Sequence, residues 1–299
     1  MVSVSELGYL GLGVSDPKAW HGVATEVFGM QVVSGDGRSA SYLRLDSHHH
    51  RIELRTDAKD DLDFAGWEVP NEDALQRVAQ QLEDGGVSVT EGTRDEADQR
   101  RVLGMIKCTD PSGILTEIFF GHPVNPIPFH PTRPISGFKT GGMGLGHILV
   151  HVPDVDASVR FYRDLLGFRV SDFTDVATPA GVIRLSFLHC NSRHHSIAFM
   201  ENSTAPKRLH HIMFESNALA DVGTGRDICI DRGIPIAVDL GCHMNDQMVS
   251  FYLANPSGYA LEYGWGARTI DDATWQVEHY ASVESIWGHP QLRQLAGGH

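Results

Sequence analysis

Apolar residues recur along this chain with two periods. Alternating or near-continuous apolar stretches at Leu7-Gly8-Tyr9-Leu10-Gly11-Leu12, Gly144 to Val152, Leu209 to Glu215 and Tyr259 to Trp265 read as strands, the last entered through the turn Asn255-Pro256-Ser257-Gly258. Between them, helical spacing predicts a helix capped by Asp16-Pro17 and running to about Val27, and others over roughly Asn71 to Glu83 and Ala218 to Arg232. Strand, helix, then several strands is a pattern that occurs twice in each half of the chain. The expected architecture is therefore α+β, with four βαβββ modules.

The two halves also repeat each other. Leu145-Gly146-His147, Asp154 and Leu166-Gly167-Phe168 lie 138 positions after Leu7-Gly8-Tyr9, Asp16 and Phe28-Gly29-Met30. Further on the offset is 145, which pairs Ser47-His48-His49-His50-Arg51-Ile52 with Ser192-Arg193-His194-His195-Ser196-Ile197, and Asp110-Pro111-Ser112-Gly113 with Asn255-Pro256-Ser257-Gly258. Between the halves lies a segment containing Pro123, Pro126, Pro128, Pro131 and Pro134, which disfavours regular structure. Two tandem domains, 1–134 and 135–299, are expected.

In the strand Tyr259–Trp265, Tyr259, Leu261 and Tyr263 share one face and Glu262 points the other way. On an exposed sheet face such a glutamate is unremarkable; inside a closed or strongly curved sheet it requires a partner such as a metal ion. His147 and His211 stand in two further apolar strands. A lone strand histidine is more often a satisfied core residue than a ligand, but two histidines and a glutamate on three strands constitute a two-histidine, one-carboxylate set that leaves adjacent positions open on Fe(II). The duplication supplies a control. His147 corresponds to Tyr9 and, at the 145 offset, His211 to Gly66, so Glu117 alone of the trio is retained in the first half. The second half is expected to bind metal and the first is not.

Composition narrows the function further. With 24 Lys and Arg against 38 Asp and Glu, the formal charge is −14 and no basic stripe is present, which argues against a nucleic-acid partner. No basic-then-apolar leader and no apolar run of membrane-spanning length is found, so a cytoplasmic protein is expected. Cys108, Cys190, Cys229 and Cys242 are scattered without a Cys-x-x-Cys pair, suggesting neither a disulfide frame nor a thiolate zinc site. Gly142 to Gly146 is glycine-rich but leads into a strand, whereas a phosphate cradle opens a helix. Of the 17 histidines, His48, His49 and His50 read as loop residues of the metal-free half, and His122, His130 and His299 are unassigned.

These motifs, over nearly the full length, resemble the type I extradiol ring-cleaving dioxygenases of the vicinal oxygen chelate superfamily, most closely the branch acting on 2,3-dihydroxybiphenyl. The resemblance implies Fe(II) held by His147, His211 and Glu262, and a catechol cleaved next to its hydroxyls by dioxygen. It implies that His195, second histidine of Asn191-Ser192-Arg193-His194-His195-Ser196, serves as acid and base beside the metal. From Gly241-Cys242-His243-Met244-Asn245-Asp246 it carries over His243, Asn245 and Asp246, and from Ser250-Phe251-Tyr252 the tyrosine beside the substrate hydroxyl. Family members are usually homo-oligomers, often octamers. Leu149, Phe187 and Ala198, with His210, are expected on the substrate side, where an apolar pocket would favour a bulky group at the catechol 3-position. His194 is expected to matter less than His195, since neighbouring strand residues point to opposite faces. Two rivals of the same fold remain: a metal-dependent glyoxalase or epimerase, which usually takes four protein ligands, and a metal-free small-molecule binding protein. Mn(II) suits similar ligands.

Overall fold

The computed structural model describes residues 2–35, 40–178, 181–281 and 285–290; His299 lies outside them. The first module is β1 (Glu6–Val14), α1 (Pro17–Val23) running on into a π-helical turn (Ala24–Phe28), β2 (Gln31–Ser34), β3 (Ala40–Arg44) and β4 (Ile52–Thr56). The second is β5 (Leu62–Val69), α2 (Glu72–Asp84), β6 (Thr90–Glu91), α3 (Arg94–Arg100), β7 (Gly104–Thr109) and β8 (Leu115–Phe120). The third comprises β9 (His147–Val152), α4 (Val155–Leu166), β10 (Arg169–Thr178), β11 (Gly181–His189) and β12 (Ile197–Glu201). The fourth comprises β13 (Leu209–Ser216), α5 (Leu219–Arg232), β14 (Ile236–His243), β15 (Val249–Ala254) and β16 (Ala260–Trp265), after which come β17 (Glu278–Ala281) and β18 (Ser285–Gly288). The four expected modules are present. Short α3, the π turn, β17 and β18 carry too little periodicity to have been foreseen.

Local chemistry explains the duplicated starts and stops. Asp16 and Asp154 each accept a hydrogen bond from the backbone three residues on, at Ala19 (2.9 Å) and Ala157 (2.8 Å), and Gly29 and Gly167 each close their helix with φ of 75°, a conformation that side chains resist. The proline-bearing connection holds no named helix or strand between Phe120 and His147.

Each half forms one sheet. The strand orders are β2-β3-β4-β1-β5-β8-β7-β6 and β17-β10-β11-β12-β9-β13-β16-β15-β14-β18. In both, the first strands of the two modules pair antiparallel at the centre, as β1 with β5 and β9 with β13. Alternation then divides the sheet. Ile148 and Val150 of β9, Ile212 and Phe214 of β13, and Leu261 and Tyr263 of β16 join the main buried apolar cluster, while His147, His211 and Glu262 take the other face. Both faces are buried: Glu262 is only 1% exposed. Among the described residues no helix is long and apolar enough to cross a membrane.

The halves share their core. Trp67 of β5 packs edge-on against Phe168 and Tyr162 at ring separations of 4.9 and 6.0 Å, and Phe28 meets Phe214 and Tyr263 at 5.2 and 4.9 Å. Trp20 Nε1 donates to Ser257 Oγ at 2.8 Å, and Gln81 Nε2 to the Leu165 carbonyl at 2.6 Å.

Candidate metal centre

Three adjacent strands, β9, β13 and β16, bring the ligand candidates together. Met213 is the cross-strand partner of both His147 and Glu262, and Tyr252 is the partner of Glu262, so these four stand in one row on one face. His211, two residues before Met213, lies on the same face in the next row. The close approach is written into Gly146, where a Cβ would fall 2.0 Å from the Met213 carbonyl oxygen. The result is compact: His147 Nε2 lies 3.0 Å from His211 Nε2, and Glu262 Oε2 lies 3.3 and 3.4 Å from those two nitrogens.

The donor atoms fit one ion. For ligand bonds of about 2.1 Å, adjacent ligands on an octahedral centre stand about 3 Å apart, matching this triangle. Burial would raise the Glu262 carboxyl, but hydrogen bonds with His147 and His243 outweigh it and hold the group well below the usual carboxylate range. Burial pushes His211 well below the ordinary imidazole range, against the pull of Glu262, which leaves the ring neutral. Two imidazoles and one carboxylate are thus gathered where a cation would bind. His210, expected on the substrate side, lies with its Nδ1 2.8 Å from His211 Nδ1 and its ring 5.6 Å from His151; it supports the ligand ring from the nitrogen that faces away from the cluster.

Around the trio stand the other candidates. His243 Nε2 is 2.8 Å from the Tyr252 hydroxyl and 3.2 Å from Glu262 Oε1. The His195 ring lies 3.9 Å from that of His147, and burial, with His147 and His194 nearby, holds it well below the ordinary imidazole range. Phe187, Ala198, Leu149 and His211 are successive cross-strand partners, so the three expected apolar residues form the row that leads away from the ligand His211. With Leu185 they make a small apolar cluster separate from the main core, and Phe187 meets His195 at 4.9 Å. Asp246 is buried beside His194 and His195 and accepts from Met248 N at 3.0 Å; the Asn245 carbonyl accepts from Arg268 at 3.3 Å.

Two expectations require correction. Residues 191–196 form a loop instead of a strand, so alternation does not turn His194 away: it is buried, with Nδ1 3.1 Å from His195 Nδ1. And the strand register assigns a different counterpart to His211. Gly66 pairs with Tyr9 and Glu117 as Met213 pairs with His147 and Glu262, so His211 corresponds to Phe64. Ile52 to Gly66 spans 14 positions and Ile197 to Met213 spans 16, a difference in connection length that a fixed offset hides.

The first half shows what replaces a metal. Arg100 donates to both oxygens of Glu117 at 2.9 Å and to Glu53 at 3.0 Å, its guanidinium lies 3.8 Å over the Phe64 ring, and the Tyr9 hydroxyl donates to Glu117 at 2.8 Å. A guanidinium thus occupies the charge position opposite the glutamate. His289 was missed: it stacks 4.2 Å from His243 just after β18, in an irregular segment with no periodic signal.

Comparison with known proteins agrees with this geometry. Residues 144–263 match the family described as the glyoxalase/bleomycin resistance protein/dioxygenase superfamily, and residues 7–56 match the dihydroxybiphenyl dioxygenase BphC D1 domain. The chain is 45% identical to a 1,2-dihydroxynaphthalene dioxygenase of Sphingobium xenophagum, covering 99% of this chain and 98% of that one. It is 44% identical to a biphenyl-2,3-diol 1,2-dioxygenase of Sphingomonas paucimobilis, covering 97% and 95%. A crystal structure of a catechol 2,3-dioxygenase superposes with a TM-score of 0.93 at 42% identity, covering 98% and 97%. A two-module sheet with a buried His-His-Glu cluster defines a metal-dependent vicinal oxygen chelate protein. Within that class, the chain belongs to the extradiol ring-cleaving dioxygenases, enzymes of catechol ring cleavage.

Proposed function

We propose that this enzyme holds Fe(II) on His147, His211 and Glu262 and cleaves a catechol carrying a bulky apolar group at the 3-position, such as 2,3-dihydroxybiphenyl, with dioxygen. The observation that carries the reading is the buried triangle of donor atoms, 3.0 to 3.4 Å apart, with an apolar row leading away from it. Two histidines and one carboxylate suit non-haem Fe(II) with positions left open, and the bound ion would hold both reactants and pass electrons between them.

The protein's own residues would do the rest. His195, neutral and beside His147, accepts a proton from a substrate hydroxyl and returns one as the ring opens. His243 and Tyr252, already hydrogen-bonded to each other, orient the substrate oxygens. Asn245 and Asp246 close that end of the site. Phe187, Leu149 and Ala198 exclude water and receive the 3-substituent. We take residues 1–134 as a metal-free scaffold and 135–299 as the catalytic unit, in a homo-oligomer.

The test is aerobic turnover of anaerobically loaded protein on a panel of catechols. Iron-loaded enzyme should give coloured ring-opened product, faster than manganese-loaded enzyme, with kcat/KM higher for 2,3-dihydroxybiphenyl than for unsubstituted catechol. The reverse order of substrates would overturn the pocket assignment, and higher turnover with manganese the metal.

A further inference from the structure

A second chain of buried polar groups runs from His195 away from the metal cluster. Asp172 Oδ2 lies 2.7 Å from His194 Nε2, and His194 Nδ1 lies 3.1 Å from His195 Nδ1. The three residues are 0%, 1% and 4% exposed, so no solvent competes for these bonds. An ionised carboxylate only accepts, so the His194 nitrogen facing Asp172 is the one that carries hydrogen. In a neutral ring, His194 Nδ1 is then bare and must accept from His195 Nδ1–H. That leaves His195 Nε2 as a lone pair, on a ring packed against His147.

We propose that Asp172 is a positioning residue which, acting through His194, fixes His195 in the tautomer whose Nε2 is free to take the substrate proton. This rests on the role proposed above for His195. When His195 gains its proton, both of its nitrogens carry hydrogen, and the hydrogen bonds already in place run unbroken to a buried negative charge. No rearrangement of the loop is needed.

The fold fixes Asp172 in this task. A register shift in the β10–β11 pairing falls just before it, and its other oxygen accepts from Glu278 N at 3.0 Å through the parallel pairing of β17. The Ser171 hydroxyl donates to the His194 carbonyl, and the Trp275 ring stands edge-on to His194 at 5.4 Å. Asp246 places a second buried carboxylate within 4.8 Å of the histidine pair. Arg193 anchors the loop to Glu215 at 2.6 Å.

The duplicated half provides an internal control. His49 and His50 repeat the Nδ1–Nδ1 contact at 3.0 Å, and Tyr42 lies 4.5 Å from His50 as Phe187 lies 4.9 Å from His195. By cross-strand pairing, with Tyr42 answering to Phe187, the counterpart of Asp172 is Val33. The histidine pair thus belongs to the loop in both halves. At the position paired with the aromatic ring beside it, the first half carries valine and the second a carboxylate.

Asp172→Asn keeps the shape but offers an amide that can donate to His194 Nε2, which permits the opposite tautomer chain. In iron-loaded enzyme, iron per chain and anaerobic affinity for 2,3-dihydroxybiphenyl should stay within about twofold of the parent, while kcat falls about tenfold to hundredfold, within the usual range of a proton-transfer contribution. His194→Gln should match it. In a His195→Gln background, Asp172→Asn should cost less than about twofold more, since the group it positions is gone. Undiminished kcat in Asp172→Asn, or the same loss on both backgrounds, would overturn the inference. Parent-like turnover in His195→Gln alone would instead overturn the proton-acceptor role. If Asp172→Asn does not fold, Asp172→Ser carries the same cycle.

Discussion

Glu117 and Glu262 are the same residue at the same place in two copies of one sheet, and their surroundings differ in one respect. Glu262 faces the imidazoles of His147 and His211, whereas Glu117 faces the guanidinium of Arg100 and the phenol of Tyr9. Removing Glu262 as Glu262→Ala should leave a folded chain with little bound iron, measured by metal analysis after loading; parent-like occupancy would mean the cluster was misread. Glu117→Ala should leave iron stoichiometry unchanged at one per chain, because Phe64 offers no donor atom and the Arg100 guanidinium stands where a cation would. Arg100→Met removes the cation between two buried glutamates, and stripping one partner from such a network costs about 3–5 kcal/mol. Denaturant titration should register that loss while iron content is retained. His194 lies in the loop entering β12, where ladder alternation does not apply and where Arg193 is held by Glu215 and the Lys139 carbonyl.

At the scale of elements, strand register decides which side chains meet. His147, Met213, Glu262 and Tyr252 form one cross-strand row, and Phe187, Ala198, Leu149 and His211 form the next. Period-two alternation in the sequence gives the face of each residue, but only pairing gives the row, and a bulge between Leu209 and His211 shifts it. The pairing β1–β5 also sets Glu6 directly opposite Glu68. Burial first, then the Glu6 charge, pushes the Glu68 carboxyl up from 4.5 to about 7. Because the folded value is raised, the fold favours the protonated form: this contribution is whole below about 4.5 and is lost as pH rises through about 7. Glu68→Gln should therefore flatten the fall in stability over that window, seen as a higher melting temperature than the parent above pH 7 and a similar one in acid. A parent-like slope would mean that another group governs it.

Across the whole molecule, the apolar core runs through both halves, with Trp67 set against Phe168 and Tyr162 and the Phe28 ring against Phe214 and Tyr263. The catalytic half expressed as residues 135–299 would expose that surface, so it should aggregate or unfold well below the full chain. Trp67→Ala should cost the full chain about 3–5 kcal/mol, typical of a large buried aromatic. Calorimetry of the full chain should show one transition; two well-separated ones would indicate independently folding halves. The sequence by itself determined the duplication, the four modules and the candidate trio His147, His211 and Glu262, which the fold brings into one cluster, because caps, turns and strand alternation are local and each of the three stands in an apolar strand. Only the tertiary structure decided the remainder: that Phe64 answers to His211, that Arg100 fills the first half's site, that His289 and Asp172 reach the catalytic surroundings. Those relations depend on connection lengths and on strands β17 and β18 at the sheet edges, and they join residues from 17 positions apart, as Arg100 and Glu117, to 106, as Asp172 and Glu278, in which no local pattern takes part.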